Sequence, residues 1–468
     1  MTINATDFSP DGAHAGTEAD PWPGVAIKDA IDSLNDATDT VMVANGIWMF
    51  DGGTLYFEKQ NWTLQGESRD GAILKFKNSG SERPDGGIWV CVRDQFLNIN
   101  RNNIHFTNLT IDPTPLTTQS KDDYSVLRVS RGTNGSFSNC KILGHANGGR
   151  PATFWEGGDH NTFDNNIFDG REVGGDNCIQ WQPIGNTSLD SHLVVSNNIF
   201  HSCALVVIGM DEVLIEGNNC DSTNGGFISL VVSGKWDTTA HNIIVRNNTV
   251  DCGGANGAAI SGLPNDPGGM SVIDGFSIVD NFVRGTFAAI HCQSFDANNY
   301  PNDDLAGNEK HNVVISGNTI HSFWGGSGIN LKGGAGLVDT VLVENNVLTN
   351  DAGMDNILDR DANTRNVTVR GNTGIPNDDG TEPPIEPPIE PPVEPPVEPE
   401  PNTVTITVNA NPPGSVNFVL PQGAQRRAKA KPQGKPPKPP AQPPTVTVEV
   451  AVDPADSSNI VFAGNAVG

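Results

Sequence analysis

The chain has 468 residues, a formal net charge of −27 and a pI near 4.5, and this acidity argues against a nucleic-acid-binding protein, whose surface is usually basic. Its 52 Gly and 33 Pro indicate many turns and few long helices. A hydrophobic content of 36 % is low for one compact core but sufficient for a solenoid, whose repeats need only cover their neighbours.

The first residues, 1–24, are predicted to form an N-terminal arm. They show neither the basic nor the apolar region of a Sec signal peptide, and no stretch of about 18 apolar residues follows, so no membrane span is predicted. The next segment, VAIKDAIDSL (25–34), places its apolar residues on one helical face. We expect this helix to cap the open end of a solenoid.

A short pattern then repeats along the chain: an apolar residue, any residue, Asn, Gly or Asp, then Asn, any residue and a second apolar residue. Examples are FDNNIF (163–168), VRNNTV (245–250) and ISGNTI (315–320), and FTNLTI (106–111) and FSNCKI (137–142) fit with Leu or Cys at the second Asn. The copies are 20 to 37 residues apart. Each is interpreted as one coil with loops of variable length.

The second asparagine of each copy is predicted to take a tight left-handed turn and to stack on its neighbours. Asn tolerates that conformation, and stacked amides can each donate to the next and accept from the last. The predicted internal ladder consists of Asn166, Asn198, Asn218, Asn248, Asn281, Asn318, Asn346 and Asn372.

The repeats end near Thr373, which gives a predicted solenoid of residues 25–376. Residues 377–402 are Pro- and Glu-rich and predict a polyproline II stalk. Residues 403–468 contain two similar Thr/Val-alternating segments around a basic, Pro-rich loop, 422–444. They are predicted to form a small β segment for attachment or oligomerisation, which pairs with itself or with other subunits.

The helix, the Asn-containing coils and the ladder resemble the right-handed parallel β-helix proteins of the pectate-lyase-like superfamily. That group includes polysaccharide lyases, polygalacturonase-type hydrolases and bacteriophage tailspikes. The resemblance covers roughly residues 25–373 and implies an all-β solenoid with a helical cap. It carries over no catalytic residue, because the motifs of the enzyme subfamilies are absent as sets.

The strand after each Asn turn is predicted to expose a polar row that binds a glycan. Its ligand-binding candidates are Trp155, Gln180, Gln182, Ser229, Ser261, His291, Gln293 and Asn330. An aromatic ring stacks on sugars, and amides and imidazole bond hydroxyls. An ordinary solvated sheet face is the alternative interpretation.

Two kinds of chemistry are open at this row. A lyase needs a base and a cation, for which His291, Lys332 and Arg360 are candidates. A hydrolase needs two carboxylates, for which Glu156 and Asp176 are candidates. The seven cysteines form no CxxC pair and are expected to be buried thiols, so no metal site is predicted, although calcium is kept open as a cofactor.

These features together predict a virion or cell-surface protein of the tailspike or decoration type. Its β-helix would bind a polysaccharide, and its C-terminal segment would join other virion or surface proteins, most simply as a homotrimer. A polysaccharide lyase or hydrolase with an accessory module is the alternative, and a non-enzymatic adhesin is the third reading. Nucleic acid is not an expected partner.

Overall fold

The structure is a computed structural model, and the residues it describes form a solenoid of three parallel sheets. It describes residues 1–9, 14–35, 39–50, 53–76, 86–90, 101–112, 127–130, 132–143, 153–156, 158–170, 177–182, 190–221, 230–233, 238–251, 258–263, 271–284, 288–293, 309–321, 328–333, 336–349, 358–375, 403–409 and 445–451. The chain divides into two compact units, residues 1–381 and residues 382–468.

Sheet 1 has thirteen strands in the described part of the chain, each hydrogen-bonded in parallel to the corresponding strand of the next coil. Its strands are Thr2–Asn4, Asp39–Val43, Trp62–Gly66, Ile104–Thr107, Ser136–Ser138, Asn161–Asp164, Asp190–Ser196, Met210–Glu216, Thr238–Arg246, Ser271–Val279, Glu309–Ser316, Leu337–Glu344 and Thr364–Arg370.

From the second coil onward, sheet 2 follows sheet 1 after a turn of two residues or a short connection, and twelve of its strands are described. They are Trp22–Pro23, Gly46–Phe50, Ala72–Phe76, Thr110–Asp112, Lys141–Leu143, Ile167–Asp169, Ile199–His201, Asn219–Asp221, Thr249–Asp251, Phe282–Arg284, Thr319–His321 and Val347–Thr349.

Sheet 3 completes the coils with eleven described strands. They are Gly53–Tyr56, Gly86–Val90, Leu127–Ser130, Thr153–Glu156, Asn177–Gln182, Ala204–Ile208, Leu230–Ser233, Ala258–Leu263, Ala288–Gln293, Ile329–Lys332 and Leu358–Arg360. A small parallel pair, Arg101–Asn102 with Gly132–Thr133, lies beside these sheets.

The N-terminal end is covered by a 3₁₀ helix, Ala5–Phe8, and by the predicted α-helix, which spans Val25–Ser33. The apolar face of the α-helix is fully buried through Ala26, Ile27, Ala30 and Ile31. The residues predicted as an arm also contribute to the first coil, because Thr2–Asn4 pairs with sheet 1 and Trp22–Pro23 pairs with sheet 2.

The second unit contains two described strands, Thr403–Asn409 and Thr445–Ala451, which pair antiparallel over seven residues. These strands belong to the two similar sequence segments, so the segments pair with each other. The predicted stalk at 377–402 and the basic loop at 422–444 lie outside the described residues.

The interior is a continuous apolar column, in which residues two apart along each strand point inward. In the first coils it contains a run of rings, and the centroids of Phe106 and Phe137 are 5.2 Å apart. The four described cysteines, Cys140, Cys203, Cys220 and Cys292, are buried and free.

All eight predicted ladder residues stack as expected. The amide nitrogen of each donates to the amide oxygen of the next at 2.9 to 3.0 Å, from Asn166 to Asn372. The same nitrogen donates to a backbone carbonyl of the preceding coil at 2.8 to 3.0 Å. The interior therefore holds a polar column whose groups are bonded to one another.

The left-handed residue of the turn beside the ladder lies one residue earlier than predicted. The left-handed conformation, with φ from 54° to 68°, belongs to the residue before each ladder asparagine, at Asn165, Asn197, Gly217, Asn247, Asp280, Gly317, Asn345 and Gly371. That residue turns the chain, and the following asparagine directs its amide into the interior. Gly, Asn and Asp alternate there because they tolerate positive φ.

Gly262 in sheet 3 gives a packing prediction, because a Cβ at this position would lie 2.3 Å from Cε1 of the buried Phe276. We expect Gly262→Ala to lower the free energy of unfolding by about 1–3 kcal/mol, as for an overpacked core. Urea unfolding followed by circular dichroism measures this change. Adding Phe276→Leu should recover part of the loss, and a double variant less stable than both single variants would contradict this explanation.

Candidate functional site

Along the chain, each strand of sheet 3 lies between the two connections whose lengths vary from coil to coil. The connection from sheet 2 enters each sheet 3 strand, and the connection to sheet 1 leaves it, whereas the turn between sheets 1 and 2 stays short beside the ladder. Loops that vary in length on one side of a solenoid usually build its binding face. Sheet 3 is therefore the face to which we assign the candidate site.

Four coils form a continuous polar row on this face. Pairing of adjacent strands places Ser261 beside His291, His291 beside Asn330, and Asn330 beside Asp359. Neighbouring strands are about 4.8 Å apart, so the row is about 14 Å long. We call these four residues the polar row.

The polar row faces outward, and two of its four residues are shielded from solvent whereas His291 and Asp359 are partly exposed. Ile329 and Leu331, on either side of Asn330, are buried in the interior, so Asn330 points to the other face of the sheet. Even so, Asn330 is only 8 % exposed and Ser261 only 1 % exposed. The polar row therefore does not belong to an open, fully solvated sheet face.

Asn330 carries a buried amide oxygen, Oδ1, that has no hydrogen-bond partner among the described residues. An unpaired buried acceptor costs roughly 1–3 kcal/mol, and proteins seldom keep one without a reason. A ligand that supplies a donor at this point would remove that cost.

Lys332 lies at the edge of the polar row, and the carboxylate of Asp359 in that row neutralises its positive charge. Its Nζ is 2.5 Å from Oδ2 of Asp359, and both side chains are about one quarter to one third exposed, at 30 % and 25 %. The predicted cation for a lyase is thus held in an ion pair with the carboxylate of the next coil.

On the N-terminal side of Ser261, the strand register makes the observed polar row shorter than the predicted one. Gln180 is in line with Val206 and Val231, which precede Ser261, so two valines interrupt the polar character. Trp155 pairs with the buried Trp181, and Phe154 is the residue beside Gln180. The predicted row, which contains both Trp155 and Gln180, is therefore shifted by one residue between these two strands.

The remaining candidates are distributed around this face. Glu156 pairs with Gln182, and Gln293 pairs with Lys332, while Arg360 pairs with Leu331 and so stands one position away from Lys332. The structure places the backbone of Glu156, Gln180, Gln182 and Gln293 but not their side chains. Asp176 and Ser229 lie outside the described residues.

Sequence reasoning missed a row of titratable groups on sheet 1. Acidic and basic side chains alternate there from coil to coil, at Asp211, His241, Asp274, His311, Asp339 and Arg365. The His241 Nδ1 lies 3.2 Å from Asp211 Oδ1, and the His311 Nδ1 lies 4.0 Å from Asp339 Oδ2. The row consists of pairs between coils, and only the strand register brings these distant residues together.

In the interior, Lys310 occupies an inward position of sheet 1 between Ile273 and Val338. It is 2 % exposed, and burial lowers the pKa of its ammonium group to about 8, with the Cys292 thiol acting in the opposite direction. Burial also raises the pKa of Cys292 to about 12. Lys310 is thus a buried titratable group at an inward position of sheet 1, and it has an interaction partner of its own.

Within the described ranges, no group of three or more His, Cys, Asp or Glu side chains is arranged to hold a metal ion. The calcium hypothesis therefore has no site among these residues. No helix in the described part of the chain is long and apolar enough to cross a membrane.

No protein-family model matches this sequence, and no curated protein is similar to it in sequence. Solved structures do match the fold. A hyperthermoactive exopolygalacturonase from Thermotoga maritima superposes with a TM-score of 0.51 at 12 % identity, covering 80 % of this chain and 92 % of the other.

The fold is settled by this likeness together with the three parallel sheets. The chain is a right-handed parallel β-helix. A DFA-IIIase from Arthrobacter chlorophenolicus A6, without its lid and in complex with GF2, matches with a TM-score of 0.50 at 11 % identity, covering 78 % of this chain and 93 % of the other. At such low identities the likeness concerns the β-helix fold alone.

Proposed function

We propose that this β-helix binds a polysaccharide along the outer face of sheet 3, as part of a virion or cell-surface protein of the tailspike or decoration type. The observation that carries the proposal is the polar row, whose Ser261 and Asn330 face outward yet are 1 % and 8 % exposed. A line of hydroxyl, imidazole, amide and carboxylate groups that is partly shielded from solvent suits a ligand with many hydroxyls.

The described residues favour binding over cleavage. Hydrolysis of a glycosidic bond generally requires two carboxylates, and Asp359 is the one carboxylate of the polar row. Elimination needs a cation for the substrate carboxylate, and Lys332 is paired with Asp359. The Pro- and Glu-rich segment 377–402 and the paired strands of the second unit support a protein that is displayed and attached.

Asn330→Leu tests the proposal, because leucine is similar in size and cannot accept a hydrogen bond. We expect the affinity for the bound polysaccharide to fall about tenfold, since one hydrogen bond to a buried partner contributes about 1.4 kcal/mol. We also expect stability to stay equal or rise, since an unpaired buried acceptor is removed. Affinity electrophoresis of the full chain and urea unfolding measure the two effects.

Thr319→Ala, on the outer face of sheet 2, is the matched control and should leave binding unchanged. Equal binding by the wild type and Asn330→Leu would contradict the assignment of the site. Assays for new reducing ends and for unsaturated sugar ends separate binding from hydrolysis and from elimination, and either product would overturn the preference for binding without cleavage.

A further inference from the structure

The charges around the polar row restrict the kind of glycan that it can hold. The cation of Lys332 is paired with Asp359. Arg360, which stands one position away from Lys332, also has an interaction partner. An anionic sugar placed on the row would therefore have to compete with Asp359 for Lys332, and it would lie beside that carboxylate.

The amide oxygen of Asn330 restricts which group of the glycan can lie against it. Oδ1 is an acceptor, so its ligand must present a donor. A sugar hydroxyl has a hydrogen to donate, whereas an ionised carboxylate or sulfate has only acceptor oxygens. A hydroxyl-bearing position of the glycan therefore satisfies Asn330, and an anionic position leaves it unpaired.

The net negative charge of the protein also disfavours an anionic glycan. The second unit, 382–468, contributes nine acidic and six basic residues, so 24 of the 27 net negative charges belong to residues 1–381, the unit that holds the β-helix. A strongly negative protein repels polyanions at low ionic strength, and salt screens this repulsion over about 8 Å at physiological concentrations.

We infer that the glycan is neutral: a chain of hexose or pentose units that presents hydroxyl groups and carries no carboxylate or sulfate. This inference rests on the proposed function and adds the substrate class to it. Asn330 accepts from a hydroxyl of the glycan, Ser261 and His291 bond neighbouring hydroxyls, and the Lys332–Asp359 pair stays intact in the complex.

Affinity electrophoresis of the full chain in neutral and acidic polysaccharides tests the inference. The neutral set is dextran, mannan, xylan and a β-glucan, and the acidic set is polygalacturonate, alginate and hyaluronate. We expect at least one neutral glycan to bind at least tenfold more tightly than every acidic one. Tighter binding of an acidic glycan would overturn the inference and leave the proposed function standing, whereas binding of none would overturn both.

Asp359→Asn gives a second, independent readout, because it removes the carboxylate and leaves Lys332 as a free cation. We expect binding of the acidic glycans to increase at least fivefold and to weaken again with added salt. Glu344→Gln is the matched control, since it makes the same charge change and releases Arg370 on sheet 1, where the Arg370 Nη2 lies 2.8 Å from Glu344 Oε2. An equal response of both variants, or none in Asp359→Asn, would contradict the inferred role of the pair.

Discussion

Replacing Asn248 with alanine is expected to lower the free energy of unfolding by about 4 kcal/mol. Its amide oxygen accepts from both the backbone N–H and the side-chain amide of Asn218, each at 2.9 Å. Alanine leaves these two donors unpaired at a residue that is 1 % exposed, and each unpaired buried group costs roughly 1–3 kcal/mol. Urea unfolding followed by circular dichroism measures the loss.

The neighbouring Asn247 supplies the control. It has φ of 55°, lies outside the ladder, and corresponds to Gly217 and Gly317 in other coils. Asn247→Gly should therefore change the free energy of unfolding by less than about 1 kcal/mol. If both variants shifted the unfolding midpoint equally, the ladder would not be the reason for the asparagine repeat.

Lys310→Met is expected to stabilise the protein by about 2 kcal/mol at pH 7, because a buried charge gives way to an apolar side chain of similar length. The folded pKa of Lys310, about 8, lies below the usual 10.5. Its unfavourable contribution is therefore fully present below pH 8 and is relieved as the pH rises toward 10.5, where the unfolded state still binds the proton.

The stability difference between wild type and Lys310→Met should consequently shrink by about 2 kcal/mol, to near zero, between pH 7 and pH 10, since each pKa unit corresponds to about 1.4 kcal/mol. Paired urea unfolding curves at the two pH values measure it. Lys28→Met, at a partly exposed lysine paired with Asp32, is the control and should show no such trend. A difference that stays constant with pH would mean that Lys310 is not a buried, destabilised cation.

The ladder could be predicted from the sequence because each ladder residue belongs to a short, contiguous pattern. The six-residue pattern contains the inward apolar residues, the turn and the ladder asparagine at fixed offsets, so each copy aligns with the next without knowledge of the loops. The helix Val25–Ser33 was equally local, since its buried face follows the helical period.

The register of sheet 3 could be predicted only in part. Connections of variable length separate its strands from the ladder on both sides, and the pairing shifts between Asn177 and Ile179. For this reason Trp155 was aligned one residue away from its observed partner. Ser261, His291 and Asn330 aligned correctly because Ile260, Ile290 and Ile329 precede them in similar strands.

The chemistry of the site depends on contacts that the sequence does not contain. The pairing of Lys332 with Asp359 joins two coils, and the burial of Asn330 depends on the folded surroundings of its strand. The alternating row from Asp211 to Arg365 could not be predicted from the sequence for the same reason. Its members lie in successive coils and become neighbours only through the strand register.

The central claim is that the polar row on sheet 3 holds the glycan, and a crystal structure of the full chain with a bound neutral oligosaccharide tests it most directly. We predict sugar density along Ser261, His291, Asn330 and Asp359, with a sugar hydroxyl within hydrogen-bonding distance of Asn330 Oδ1 and the Lys332–Asp359 pair unbroken. Sugar bound on the outer face of sheet 1 or sheet 2, with the polar row empty, would contradict the claim.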